Sequence, residues 1–346
     1  MIFLTMALAA MLSACDVDSA TPTDKPDTPV VNPDKPATPD MPTDPESPDR
    51  PDTPGTDEPT NPDTPTDPEA PTDPDSPTDP DKQATGSLIA DGDDANTYKL
   101  ILDSGYNYET PDNSGDHASA PFRHITQSYD ETLGKYVFNF ILHIDNDDDR
   151  GLANITDRQR NEIKTDGKSP KSMVAAEGES LRMTWKFRLP DGMVTTNKFA
   201  HIHQLKGIDN KDKNADVSMP LITFTVRTLS NGKQQLQVIF NGPSDEGPKN
   251  EYLGRADLEL FKGNWVEATE TVNFSKDGSY ELVIRRLSDS RELLRISRSG
   301  LNFWRSGSTG MRPKWGLYRS FGTGGSLKPE MRDETLQFAD FMIEKL

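Results

Sequence analysis

The chain has 346 residues, a formal net charge of −19, 28 prolines and one cysteine. Residues 16–83 carry 19 acidic and 4 basic residues, so residues 84–346 are left nearly balanced, with 38 acidic and 34 basic. That balance excludes a strongly basic nucleic-acid binder, and the lack of a second long apolar run excludes a polytopic membrane protein.

The first segment, Met1 to Cys15, is apolar, uncharged and too short to span a bilayer, and it ends in small residues. It reads as the hydrophobic region of an export signal. Leu12-Ser13-Ala14-Cys15 resembles the bacterial lipobox. In that motif small residues fit the signal peptidase and the cysteine thiol takes the diacylglycerol. The segment lacks the usual Lys/Arg-bearing start. A plain secretory signal with an incidental cysteine is the other reading. Cys15 is the only cysteine, which favours lipidation and excludes a disulfide within the domain. The expectation is an exported protein, anchored to a membrane through Cys15, with the outer membrane or cell surface favoured.

Residues 16–83 hold 19 of the 28 prolines, about one in every three or four positions, with Thr and Asp filling most of the rest. Almost nothing apolar is available to bury, and like charges repel along the segment. A disordered, extended Pro/Thr/Asp-rich linker is predicted. In polyproline II it reaches on the order of 200 Å.

From residue 84 to 346, short runs of alternating polarity recur between turn signals. They include Tyr136–His143, Asp157–Lys164, Ser180–Arg188, Phe199–Gly207, Leu221–Arg227, Gln235–Phe240, Thr269–Phe274, Tyr280–Arg286 and Met311–Ser320. Period-two alternation rich in β-branched and aromatic residues predicts strands. Asn231-Gly232 and Asp277-Gly278 predict two hairpins, and Pro190-Asp191-Gly192 a turn. A short helix is expected over Pro329–Phe341. Many short antiparallel strands in about 260 residues indicate an all-β domain, a two-sheet antiparallel jelly roll of the concanavalin-like sandwich type. A monomer is expected.

Three of these strands carry chemistry. Alternation places Arg158, Arg160, Glu162 and Lys164 on one face, a row of cations around one carboxylate that suits an anionic ligand. It likewise places His201 and His203 together, with Leu205, and sends Ile202, Gln204 and Lys206 to the other face. The histidine pair suits proton transfer or carboxylate binding; two ligands without a third do not make a metal site. On the last strand Lys314, Gly316 and Tyr318 share a face, and Gly316 leaves room for a ligand beside a tyrosine able to transfer a proton. Each pattern is also compatible with an ordinary amphipathic strand.

In this order, Arg160-Asn161-Glu162-Ile163-Lys164, His201-Ile202-His203 and Lys314-Trp315-Gly316-Leu317-Tyr318 resemble the R-x-E-L-R, Q-I-H and K-A-G-x-Y strands of alginate lyases of polysaccharide lyase family seven. His201 stands in place of that family's glutamine and Lys164 in place of its second arginine. The wider set of jelly-roll uronate lyases, with glucuronan, heparin-type and ulvan lyases, is similar too. The resemblance implies cleavage of a uronate-containing anionic polysaccharide by β-elimination, with ulvan favoured, then glucuronan, alginate and heparin-like chains. It also implies a catalytic set of His203, Tyr318, Arg160 and His201. Tyr318 would protonate the leaving O4, His203 would act as base or carboxylate donor, and Arg160 and His201 would neutralise the carboxylate. Arg158, Glu162, Lys164, Lys206, Lys314, Trp315 and Arg319 would contact or position substrate. No cofactor is required by that chemistry.

Two alternatives accompany this reading. One is a non-catalytic carbohydrate-binding lipoprotein stacking sugars on Trp304, Trp315 and Tyr318. The other is a concanavalin-like glycoside hydrolase, which needs two carboxylates about 5 to 9 Å apart. Finally, Asp145-Asn146-Asp147-Asp148-Asp149-Arg150-Gly151 imitates the start of a calcium loop, but Thr156 stands where an EF-hand needs Glu. It is read as a solvated turn, with structural calcium as the second reading.

Overall fold

A computed structural model describes residues 86–113, 122–150, 152, 154–213, 215, 217–243 and 250–346. Cys15, the predicted linker and the boundary at residue 84 lie outside the described residues. In chain order the elements are β1 (Ser87–Leu88), α1 (Thr97–Asp103), β2 (Asn107–Glu109), β3 (Ile125–Asp130) and β4 (Lys135–Leu142). Next come β5 (Arg158–Lys164), β6 (Ser180–Arg188), β7 (Ala200–Gly207), β8 (Ile222–Thr228) and β9 (Gln234–Phe240). The last are β10 (Glu251–Asp257), β11 (Val266–Asn273), β12 (Gly278–Arg286), β13 (Glu292–Leu301), β14 (Met311–Ser320) and β15 (Glu334–Lys345).

Among the described residues these strands form two antiparallel sheets. One has the order β13-β12-β11-β6-β15-β4-β3, with β1 added against β15; the other runs β10-β9-β8-β7-β14-β5-β2. The architecture is the two-sheet jelly-roll sandwich that the alternation predicts. Both glycine turns make their hairpins, Asn231-Gly232 between β8 and β9 and Asp277-Gly278 between β11 and β12.

The alternation survives as burial. Along β6, Leu181, Met183, Trp185 and Phe187 are buried while their neighbours are not, and β11 alternates in the same way. These side chains meet Phe224 and Val226 of β8, Leu236, Val238 and Phe240 of β9, and Trp315 and Leu317 of β14 in one core cluster. Each such side chain, fully buried, contributes about 1.5–3 kcal/mol. The inner face of the seven-stranded sheet is thereby committed to packing, and its outer face is left for polar residues.

Two local predictions are corrected. Pro329–Phe341 is not a helix: a single 3-10 turn at Lys328–Glu330 leads into β15, where Leu336, Phe338 and Phe341 bury into the core. Tertiary burial of period-two side chains overrides local helix propensity there. The acidic run is not wholly solvated either: over residues 145–150, Asp145 and Asn146 are exposed but Asp147 and Asp149 are buried.

Candidate active site

The outer face of the seven-stranded sheet carries most of the predicted polar residues, and β14 is its centre. β14 pairs with β5 on one side, setting Tyr318 opposite Arg160, Gly316 opposite Glu162 and Lys314 opposite Lys164. On the other side it pairs with β7, setting Tyr318 opposite His201. Arg158 donates from Nη1 to the Tyr318 hydroxyl at 2.9 Å. The Arg160 guanidinium lies over the Tyr318 ring, 3.8 Å from its centroid. The His201 and Tyr318 ring centroids are 6.0 Å apart, and Phe199 stacks on His201 at 4.8 Å. An imidazole, a phenol and two guanidinium groups thus meet at one place.

The imidazole is His201 and not His203. On the β7–β8 ladder His201 pairs with Thr225 and His203 with Phe224, so Ile202 is an extra residue. Such a bulge shifts the phase of everything beyond it. Gln204 and Lys206 therefore come to the outer face with His201, while His203 and Leu205 turn inward. His203 is fully buried among Trp185, Phe224 and Trp315. Its Nε2 hydrogen-bonds Glu270 of β11 at 2.9 Å, and Tyr280 donates to the other Glu270 oxygen at 2.7 Å. This polar chain bridges the two sheets and does not reach the outer face.

Two further expectations are corrected by the same parity. Trp315 is buried against Trp185, His203 and Phe341, with no exposed surface to stack on a sugar. Arg319 also points away from Tyr318, and its Nε donates to Gln159 on the reverse of β5 at 2.6 Å. Trp304 is buried as well. Gly316 has φ 140°, and a Cβ there would lie 2.1 Å from the Asn161 carbonyl oxygen. The close approach that its lack of side chain permits is therefore that of the β5 backbone. We expect Gly316→Ala to destabilise the fold by about 3 kcal/mol or more, read from chemical denaturation. An unchanged midpoint would mean that β14 and β5 do not approach so closely.

Glu162 organises the cations. Its carboxylate accepts from Arg160 Nη1 at 3.1 Å, from Lys314 Nζ at 2.6 Å and from Gln204 Nε2. Glu109 of β2 repeats the pattern, accepting from Arg160 at 3.0 Å, Lys164 at 2.8 Å and Lys314 at 2.6 Å. Burial works to raise the Glu109 pKa, but Lys314, Arg160 and Lys164 together hold it well below the usual carboxylate range. Asp149 accepts from Arg160 Nε at 2.9 Å. Glu109, Asp149, Gln204 and Arg227 belong to the site and were not selected from the sequence. Arg227 lies on β8 two residues beyond Thr225, the strand partner of His201. Burial, then the positive charges of Arg227, Arg160, Lys314 and Lys206, press the His201 pKa down to about 3. Burial, followed by Lys314, Arg160 and Arg312, lowers Lys206 to about 8.

His201 is therefore neutral at any ordinary working pH. Its Nδ1 is shielded and has no hydrogen-bond partner among the described residues, while the residue as a whole is half-buried. A neutral imidazole offers one N–H donor and one acceptor nitrogen. The surface around Tyr318 combines a neutral donor, a phenol and an excess of positive charge.

Neither a protein-family profile nor a curated protein matches the chain. Among solved structures it is similar to an endo-β-1,4-glucuronan lyase from the fungus Trichoderma reesei. The identity there is 11% and the TM-score 0.45, over 69% of this chain and 91% of that one. It is also similar to the alginate lyase A1-II′ of polysaccharide lyase family seven (12%, TM-score 0.46, 70% and 94% of the two chains). A third is a marine PL-14 alginate lyase from Aplysia kurodai (13%, TM-score 0.46, 76% and 100%). At these identities the functional reading rests on the geometry of this chain.

Proposed function

We propose that this protein is a polysaccharide lyase that cleaves a uronate-containing polymer by β-elimination on the outer face of the seven-stranded sheet. The observation that carries the proposal is the Tyr318 hydroxyl, held by Arg158 at 2.9 Å under the Arg160 guanidinium and beside a neutral imidazole.

Elimination from a uronate meets one main obstacle. The C5 proton is weakly acidic while the neighbouring carboxylate keeps its full negative charge. Donors and cations aimed at that carboxylate stabilise the charge that builds up as the proton leaves. The His201 N–H and the surplus cations supply them. A base of pKa about 3 is too weak to take the C5 proton efficiently, so His201 serves as a donor. Tyr318 moves the proton. The Arg158 N–H directed at its oxygen and the Arg160 charge over its ring both stabilise negative charge on that oxygen. As the phenolate it takes the C5 proton, the C4–O4 bond breaks as the C4=C5 bond forms, and the phenol returns the proton to O4.

A glycoside hydrolase fits less well, because its general acid needs a raised carboxyl pKa, whereas Glu109 is lowered by its cations. A stacking surface for sugar binding alone loses Trp304 and Trp315 to the interior.

The uronate class is set by the carboxylate chemistry. We take glucuronan, alginate, ulvan and heparin as the panel on which ultraviolet absorbance of unsaturated uronate ends tests the proposal. Absorbance should rise with at least one polymer; binding or hydrolysis with no rise would refute it. A pH dependence follows from Lys206. It is charged below about 8 and neutral above it, so its pull on an anionic chain is lost as pH rises through that value. KM should rise roughly tenfold across that window, and Lys206→Arg should flatten the rise. A wild-type KM that stays constant would remove Lys206 from substrate binding.

A further inference from the structure

A second cluster of ligand-type side chains lies on the reverse of β5, outside the proposed catalytic face. His124, His143 and Asp147 bring one ligand atom each to within 4.8 Å of one another. His124 Nε2 is 2.8 Å from one Asp147 oxygen, and His143 Nδ1 is 3.2 Å from the other. His124 and Asp147 are fully buried, whereas the His143 side chain is 24% exposed, so solvent reaches one edge of the cluster. On the far nitrogen of His124, Nδ1, sits the Asp112 carboxylate. A carboxylate behind a ligating imidazole fixes its tautomer and raises its basicity, the usual outer support of a zinc-bound histidine.

We infer that His124, His143 and Asp147 bind a divalent transition-metal ion of the zinc type, with Asp112 orienting His124 and water completing the coordination. Two imidazoles and one carboxylate suit zinc and its neighbours. Calcium takes six to eight oxygens and finds too few here, which separates this site from the calcium loop suggested by the acidic run.

The ion has a structural consequence for the face across the sheet. The loop that follows His143 is tied to β5 at three points. Gln159 Nε2 donates to the His143 carbonyl at 2.8 Å, Arg160 N donates to the Asp148 carbonyl at 3.0 Å, and Arg160 Nε donates to Asp149 at 2.9 Å. Metal on His143 and Asp147 fixes the loop whose Asp149 carboxylate grips Arg160.

The test is zinc binding by the full chain after treatment with a chelator, measured by competition with a chromophoric chelator and by X-ray absorption at the zinc edge. We expect one tightly bound zinc per chain with nitrogen and oxygen neighbours and a raised melting temperature. His143→Ala, at a partly exposed side chain, should stay folded, weaken binding at least about tenfold and abolish the thermal shift. Asp112→Asn should weaken binding by about 10-fold to 100-fold without removing a ligand. The proposal fails if zinc binds no more tightly than about 10 μM, a level at which the site would add little to stability. It fails equally if His143→Ala binds as the wild type does. In either case the cluster is a hydrogen-bonded set in which Asp112 and Asp147 hold His124.

Discussion

Tyr318→Phe is expected to lower the rate of unsaturated-uronate formation by about a thousandfold or more, while the melting temperature stays within a few degrees of wild type. The substitution removes one oxygen. It leaves the ring under the Arg160 guanidinium and leaves the β14 register with β5 and β7 unchanged. Arg158 keeps its bidentate contact with Asp157, at 2.8 and 2.7 Å, so no buried charge is stranded. A loss in kcat with KM nearly unchanged is the signature of a group needed only in the transition state. Retained activity would mean that another group moves the proton and that the contacts around Tyr318 serve only the fold.

His201 and His203 should separate cleanly, although two positions apart. His201→Ala is expected to reduce kcat/KM by about a hundredfold or more, since the donor facing the uronate carboxylate is lost. His201→Gln keeps a neutral N–H donor and should recover most of that loss. A base cannot be replaced by an amide, so equal losses in the two variants would make His201 the base and overturn the division of labour given to Tyr318. His203→Ala, by contrast, opens a cavity beside Trp185 and Trp315 and strips Glu270 of one partner inside the core. Losing one partner of a buried pair costs about 3–5 kcal/mol. Its effect should appear in stability, with the protein that remains folded retaining its activity.

The contrast between these histidines also marks how far sequence reading reaches. Strict alternation located β6 and β14 to the residue, because inward and outward faces differ so sharply in polarity. It also placed Arg158, Arg160, Glu162 and Lys164 on a single face. It fails on β7 because one extra residue, Ile202, reverses the parity beyond it, and Ile is as ordinary in a bulge as in a strand. Gly316, with φ 140°, was the nearest hint of irregularity, and it lies opposite that bulge on β14. Trp315 and Arg319 follow the parity of β14 itself, odd residues inward and even residues outward. A search for aromatic and basic residues near Tyr318 selects them by type while the pleat turns them away. Glu109 and Asp149 come from a three-residue strand and a loop, neither with a period of its own. Only their ion pairs with Arg160, formed over 51 and 11 residues of chain, show that they belong to the site.

The structure also accounts for so much buried charge beside one tyrosine. Glu162 and Glu109 each hold Lys314, and Arg160 is shared among Glu109, Asp149 and Glu162. Such a network fixes guanidinium and ammonium groups in place before substrate arrives, so little reorganisation is needed as charge develops. Its cost is a set of desolvated ions that hold together only while all partners are present.

The most direct measurement is the ratio of C4=C5 double bonds to new reducing ends, determined by ultraviolet absorbance and end-group assay on a polyuronate digested by the purified full-length protein. Elimination at Tyr318 predicts one double bond for every chain scission, and about a thousandfold slower formation of both in the Tyr318→Phe digest. New reducing ends without double bonds would make the reaction a hydrolysis and contradict the account.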